Sequence, residues 1–167
     1  MKNKAIILIL IMIIFSACNS KTELRYYHMG ESNGWINENT LTNELAHSGE
    51  KSSKVDAEHN FSLGMITTFD KVADKLPRNI HVSCYINCQE EPVSVALICS
   101  MGPSMDNHTV YDGYSFENIG MLNEWVKVDY TFLVPANINH TDYVSIYVYS
   151  PQGKQLFMDD LKINFEL

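Results

Sequence analysis

A carboxylate lies in the apolar phase of the last segment of the chain, KQLFMDDLKINFEL (154–167). Read with a period of two, that phase carries Phe157, Asp159, Leu161, Ile163 and Phe165. An unpaired buried carboxylate is very costly, so Asp159 requires a cation, a set of hydrogen-bond donors or a raised pKa. Its neighbour Asp160 falls in the opposite phase, so the two carboxylates do not act on one substrate unless a β-bulge intervenes.

The other residues that could do chemistry give little support for catalysis. The 6 histidines show no HExxH or other metal-ligand spacing, and the sequence holds no GxSxG elbow and no glycine-rich phosphate loop. His47 precedes Ser48, but the pair stands in the turn-like stretch HSG, which favours a structural role. The sequence therefore predicts a protein that is not an enzyme.

Alternating hydrophobicity predicts the elements that position these residues. The clearest alternating segments are NIHVSCYINC (79–88), PVSVALICSM (92–101), EWVKVDYTFLVP (124–135) and DYVSIYVYSP (142–151). The link QEEP (89–92) has the length of a hairpin turn, and a register with Cys88 facing Val93 would bring the apolar faces together. Only DKVADKL (70–76) has the character of a turn or short helix, which Pro77 would end. About eight short strands of this kind predict an all-β, antiparallel β-sandwich of the jelly-roll type.

The cysteines give no sign of a zinc site. Cys84 and Cys88 lie four residues apart on one predicted strand, about 13 Å at strand rise, so they do not bridge each other. Buried free thiols are the simplest interpretation of both residues and of Cys99. A diagonal Cys84–Cys99 bridge between neighbouring strands remains an alternative.

The N-terminal stretch MKNKAIILILIMIIFSAC (1–18) has the pattern of a secretory signal. Residues 1–17 are predicted to be a signal peptide, and FSAC resembles a bacterial lipobox in which Cys18 is lipid-modified. An ordinary cleaved signal and an uncleaved membrane anchor are the alternatives. Acyl chains on Cys18 would attach the protein stably to a membrane. Residues 18–25 then read as a polar tether and residues 26–167 as one domain.

The charge of the mature chain limits its partners. The sequence has 12 basic and 20 acidic residues, and removal of Lys2 and Lys4 leaves 10 basic ones, a formal charge of −10. This balance argues against nucleic acid and against anionic membrane surfaces as partners. The net negative charge is compatible with a soluble domain held away from the surface of a cell envelope. It is also compatible with the binding of calcium ions.

Four segments in order resemble a known family. They are AHSGEKSSKVD (46–56), EWVKVDYTFLVP (124–135), DYVSIYVYSPQGK (142–154) and LFMDDLKI (156–163). They resemble the carbohydrate-binding-module-like, galactose-binding-domain-like jelly rolls of extracellular bacterial proteins. With the lipobox and tether, the chain is similar to an envelope lipoprotein of Bacteroidetes type. The resemblance implies an outer-membrane lipoprotein, on either the periplasmic or the surface side.

The resemblance also implies a structural calcium ion beside the closing strand. Asp159 would be a ligand, Gly49 would contribute a backbone carbonyl from the HSG turn, and Glu31 before Trp35 would add a second carboxylate. The alternative is that backbone N–H groups of the facing turn hold the Asp159 carboxylate without a metal.

Glycan binding in such domains uses aromatic rings that stack on sugars and polar groups that bond the hydroxyls. The candidates in this sequence are Tyr85, Tyr147, Tyr149, Tyr111, Tyr114, Asn87 and Asp129. The alternative is that these tyrosines simply suit an exposed, pleated sheet face. Trp125 and Trp35 are interpreted as packing residues.

Two functions follow from these patterns, and a small glycan-active enzyme is a third alternative. The first is non-catalytic recognition of a glycan by a lipoprotein of the cell envelope. The second is a structural or protein-interaction lipoprotein that has the same fold without a sugar site and meets an envelope protein partner, because fold does not fix function. A cleft that gathers Tyr85, Tyr147 and Tyr149 would favour the first, and a flat apolar patch would favour the second.

Overall fold

The structure is a computed structural model that describes residues 34–167 and the backbone of residues 21–25. The predicted signal peptide, the predicted lipidation site Cys18 and the predicted calcium ligand Glu31 lie outside the described residues. Their roles therefore stay predictions.

The described part of the chain is built almost entirely of strands. A 3₁₀ turn spans Glu38–Thr40, and the one α-helix of the described residues is α1 (Phe69–Val72). This single turn overlaps the start of the predicted 70–76 region and ends at Val72, before Pro77 is reached. No helix in the described ranges is long and apolar enough to cross a membrane. The strands are β1 (Lys21–Arg25), β2 (Trp35–Ile36), β3 (Leu41–Thr42), β4 (Ser52–Val55), β5 (Gly64–Thr68), β6 (Asn79–Cys88), β7 (Ala96–Gly102), β8 (Val110–Ser115), β9 (Val126–Leu133), β10 (Tyr143–Tyr149) and β11 (Leu156–Glu166).

These strands form two antiparallel sheets packed face to face. Sheet A has the order β3-β4-β11-β6-β9, and β1 also pairs with β11. Sheet B has the order β2-β5-β10-β7-β8. The predicted all-β sandwich with jelly-roll architecture is confirmed.

The alternating residues bury the faces that the sequence predicts. Ile80, Val82 and Ile86 of sheet A are fully buried, and Val144 and Ile146 of sheet B face them. Side chains in the opposite phase point away from the core, as the period of two requires. Each sheet therefore has one apolar inner face and one outer face that can carry a binding site.

The predicted hairpin between residues 79–88 and 92–101 is wrong. β6 lies in sheet A between β11 and β9, whereas β7 lies in sheet B between β10 and β8. The link therefore crosses from one sheet to the other. The hydrophobic alternation does not distinguish a hairpin from a crossover. In either case β6 buries one face, whether β7 pairs beside it in one sheet or packs against it from the other sheet.

The assignment of β6 and β7 to different sheets also decides the state of the cysteines. Cys84, Cys88 and Cys99 are buried free thiols, as the simplest interpretation predicted. Cys84 belongs to sheet A and Cys99 to sheet B, so a diagonal bridge between paired strands does not occur.

Part of the segment predicted as a tether, residues 18–25, is a strand of sheet A. Residues 21–25 form β1, which pairs antiparallel with the last residues of β11, from Lys21 opposite Glu166 to Arg25 opposite Lys162. Backbone hydrogen bonds to an open edge hold such a strand even where its side chains are polar.

A β-bulge changes the phase of β11 at its two aspartates. The pairing with β6 shifts register between Asp159 and Lys162, and Asp160 has a positive φ of 52°. Before the bulge Leu156 and Met158 belong to the core, and after it Leu161, Ile163 and Phe165 do. Asp159 lies opposite Tyr85 on the outer face, so its predicted position among core residues is wrong.

Candidate functional site

The bulge aims both aspartates of β11 at one turn, so the prediction that alternation separates the two carboxylates is wrong. Asp159 Oδ2 accepts hydrogen bonds from the backbone N–H groups of His47 (2.7 Å) and Ser48 (3.0 Å). Its Oδ1 accepts the N–H of Asp160 at 2.7 Å. The N–H donors of the facing turn therefore compensate the charge of Asp159, which is the alternative to a metal that the sequence left open.

Asp160 is bonded to the side chains of the same turn. Ser48 Oγ donates to its Oδ1 at 2.6 Å, and His47 Nδ1 lies 2.8 Å from its Oδ2. Desolvation by burial raises the pKa of Asp160, but the hydrogen bonds from Ser48 and His47 outweigh it, and the pKa lies below its ordinary value. Because Ser48 donates to the carboxylate and not to His47, the three residues do not form a nucleophile–base pair.

Two of the three predicted calcium ligands, Asp159 and Gly49, lie among the described residues. Gly49 and Asp159 both line a cavity of about 370 Å³ beside the turn. However, Asp159 already accepts three N–H groups. Nowhere in residues 34–167 do three or more His, Cys, Asp or Glu side chains form a group that could hold a metal. Glu31 lies outside the described residues, so the calcium ion remains a prediction of the family resemblance.

On the outer face of sheet A, the turn also covers the candidate sugar platform Tyr85. The rings of His47 and Tyr85 stack with centroids 3.6 Å apart and an angle of 14° between their planes. Trp125 meets the edge of His47 at 5.6 Å. Of the other candidates on this face, Asn87 is buried and bonded to Gln89, and Asp129 is exposed and paired with Lys127 at 3.2 Å.

The remaining tyrosine candidates lie mainly on the opposite side of the molecule. Tyr147 and Tyr149 point outward from β10, and Tyr111 points outward from β8 beside them. Tyr114 is in the opposite phase of β8, with its ring 4.9 Å from that of Tyr130. A cleft that gathers Tyr85 with Tyr147 and Tyr149 therefore does not exist, since the residues lie on the outer faces of different sheets.

The outer face of sheet B carries a connected set of aromatic rings. Phe61 stacks on Tyr149 at 4.7 Å and meets Tyr147 edge-on at 5.5 Å. Desolvation by burial and a hydrogen bond to Tyr111 raise the pKa of Tyr147. His108 lies 5.7 Å from Tyr111 and extends the set.

Phe61 is a site residue that the sequence reasoning missed. Phe61 lies outside the named strands, so a period of two does not predict the direction of its side chain. An isolated β-bridge to Tyr149 brings it to the candidate site. Its ring is 44% exposed. No sequence signal could have found it, because the exposure of an apolar side chain is known only once the chain has folded.

Three rings of this set, those of Phe61, Tyr147 and His108, border a groove of about 270 Å³ across β10 and β7. At its floor the hydroxyls of Ser100 and Ser145 are hydrogen-bonded at 2.9 Å. Phe61 and Tyr147 line one part of it, and Tyr143 lines another. At strand rise Tyr143 and Tyr147 are about 13 Å apart along β10, so the groove is a depression between aromatic walls.

The groove face is almost free of charge. The five strands of sheet B contain no Lys or Arg and one acidic residue, Asp112. Sheet A, in contrast, carries Lys54, Lys127, Lys162 and both aspartates of the bulge in its strands. The two outer faces therefore offer different chemistry: ion pairs on sheet A, and rings with hydroxyl groups on sheet B.

Comparison with known proteins places this architecture among carbohydrate-binding modules. No protein-family model matches the chain, and no curated protein matches it. Among solved structures, a family 16 carbohydrate-binding module is 16% identical, with a TM-score of 0.51 over 77% of this chain and 89% of that one. The CBM22-1 xylan-binding domain of Paenibacillus barcinonensis Xyn10C is 13% identical, with a TM-score of 0.51 over 89% of this chain and 96% of that one.

A further xylan-binding domain of family CBM22 is 15% identical, with a TM-score of 0.53 over 85% of this chain and 94% of its own. At these identities the likeness concerns the fold. The chain thus has the jelly-roll sandwich of carbohydrate-binding modules, which confirms the fold that the sequence resemblance implied.

Proposed function

We propose that the protein is a non-catalytic glycan-binding protein that holds its ligand in the groove on the outer face of sheet B. The observation that carries the proposal is the pair of rings that line this groove, Phe61 and Tyr147, with Tyr149 stacked on Phe61 beside it. The solved structures that share the fold support it, since two of the similar domains are described as xylan-binding.

The chemistry of the groove suits an uncharged sugar chain. Aromatic faces stack on the apolar faces of pyranose rings, and hydroxyl and amide groups fix their orientation. The strands of sheet B offer no Lys or Arg to pair with a uronate or a sulfate. The negative charge of the chain would also repel such polymers. We therefore expect neutral glycans to bind and anionic ones to bind weakly.

A glycan array of residues 19–167 tests the proposal. Wild type is expected to bind neutral glycans. Tyr147→Ala is expected to lose the signal, because it removes one of the aromatic rings that line the groove. Asp129→Ala is the matched control, since it removes a candidate that the fold places on sheet A. Equal binding by Tyr147→Ala and wild type would contradict the proposed site.

The membrane attachment is a separate part of the proposal. We propose that Cys18 carries acyl chains that anchor the domain in the outer membrane of the cell envelope. The support is the lipobox-like FSAC and the apolar stretch before it. The intact mass of the membrane-extracted protein should show the acyl chains. A Cys18→Ala form that stays equally membrane-bound would contradict the anchor.

An interaction protein is the second candidate function, and one observation favours it. Met105 and Tyr111 are 56% and 54% exposed beside the groove, and Tyr143 is 40% exposed. Exposed apolar side chains that cluster on one face often mark a protein interface. A folded protein that is silent across a broad array of neutral glycans would favour this function over glycan binding.

A further inference from the structure

A second cavity lies directly beyond Phe61. It measures about 260 Å³, and Phe61 and Asn37 line both this cavity and the sheet B groove. The aromatic ring is therefore a shared wall, with the Ser100–Ser145 floor on one side of it. The second cavity lies on the other side, and no candidate from the sequence falls in it.

The second cavity has a mostly polar lining, whereas the groove is lined by aromatic rings. Its lining includes the amides of Asn37, Asn39 and Asn60, with Glu58 and His59 beside them. Asn37 Nδ2 donates to the carbonyl of Ser62 at 2.9 Å, which fixes the orientation of that amide. Asn37 itself stands in the left-handed region, with φ 61°.

Two of these amides remain available for a ligand. Asn39 is exposed and Asn60 half-buried, and the side chain of neither is hydrogen-bonded to another described residue. An amide offers both a donor and an acceptor, which matches a sugar hydroxyl that does the same. A row of amides beside an exposed aromatic ring therefore combines the two contacts that sugar sites use.

We infer that this cavity is a further glycan subsite, an inference that rests on the proposed function. One sugar ring of the chain stacks on Tyr147 and contacts Phe61, which stands edge-on to it, and the next ring along bonds Asn39 and Asn60 beyond Phe61. The ligand class is a neutral oligosaccharide long enough to pass over Phe61. A short oligosaccharide is held by the groove alone.

Calorimetry with xylobiose and xylohexaose tests the subsite, with the double variant Asn39→Ala/Asn60→Ala beside wild type. Wild type is expected to bind the hexaose more tightly than the biose. The double variant should bind the biose as wild type does and lose about tenfold in affinity for the hexaose, the size expected from losing two hydrogen bonds. Asn118→Ala, an exposed asparagine in the loop after β8, is the matched control.

The outcomes separate the subsite from the proposed function. If the double variant binds xylohexaose as tightly as wild type, the subsite is wrong and the groove still stands. If it loses both ligands equally, the asparagines serve the groove itself and not a further subsite. If wild type binds neither xylose oligomer nor any neutral glycan of the array, the proposed function falls, and the subsite falls with it.

Discussion

The rings of His47 and Tyr85 lie 3.6 Å apart and nearly parallel, so the turn that carries His47 covers the most prominent aromatic ring of sheet A. The covering turn is held in place by Asp159 and Asp160 of the bulge. In the part of the chain that the structure describes, Phe61 and Tyr143 on the side of sheet B remain 44% and 40% exposed. The two outer faces thus differ in access, and this difference locates the proposed site.

Tyr85→Ala is therefore expected to leave glycan binding unchanged. The variant should bind the array ligands of wild type within about twofold, because the ring it removes is already covered by His47. Binding is measured after circular dichroism has shown that the variant is folded. Loss of binding by a folded Tyr85→Ala protein would move the site to sheet A.

Asp159→Ala is expected to destabilise the fold. The change removes three N–H···carboxylate hydrogen bonds and releases the His47–Ser48 turn. A cost of about 1–3 kcal/mol in the free energy of unfolding is expected for charge-assisted bonds of this kind. Urea denaturation measures it, with Asp129→Ala as the control. Loss of the exposed ion pair between Asp129 and Lys127 should lower the free energy of unfolding by about 0–1 kcal/mol. Equal effects of the two substitutions would contradict the role of Asp159.

Asp160 should make stability depend on acid pH. Its folded-state pKa is lowered, so its contribution is present above its ordinary pKa of about 3.9 and is lost as pH falls through the lower folded value. Urea midpoints measured from pH 6 down to about 2.5 should fall, and Asp160→Asn should fall less steeply. Identical profiles for the two proteins would show that Asp160 is not one of the groups responsible.

Chelation tests the calcium that the family resemblance implies. We expect the melting temperature to change by less than about 1 °C in excess EGTA, because backbone N–H groups already compensate Asp159. A melting temperature that drops with the chelator and recovers with added calcium would show that Glu31 and the HSG turn complete a metal site. Asp159→Ala and Glu31→Ala should then both abolish the chelator effect.

The three cysteines of the domain should be unreactive in the native protein. Burial raises the pKa of the Cys84 thiol to about 12 and that of Cys88 to about 11, and it raises the pKa of Cys99 as well. Residues 19–167 should resist iodoacetamide at pH 8 and take up three labels in denaturant, as read by intact mass. Fewer labels in denaturant without reductant would indicate a disulfide.

The sequence by itself determined which face is buried in the long strands that have no bulge. In residues 79–88 and 142–151 the period of two separates core residues from outward ones, and the structure follows it. The same pattern was enough for the sandwich class, the buried thiols and the outward direction of Tyr147 and Tyr149. Each of these is a property of one strand, read from neighbouring residues.

Only the tertiary structure decided which strands share a sheet. Alternation fixes the phase of a strand, but its partners are set by long-range hydrogen bonds, so β6 and β7 were expected to pair and instead lie in opposite sheets. For the same reason Tyr85 and Tyr147, both outward, are found on opposite sides of the molecule.

The two features that shape the sites arise where the period of two fails. The bulge at Asp159 and Asp160 shifts the alternation of β11 by one residue, and the residue pattern does not predict this shift. As a result Asp159 lies on the outer face and not in the core. Phe61 comes from a segment outside the strands and joins the groove only because the chain returns beside Tyr149. Local periodicity cannot encode either event, since both depend on contacts between residues far apart in sequence.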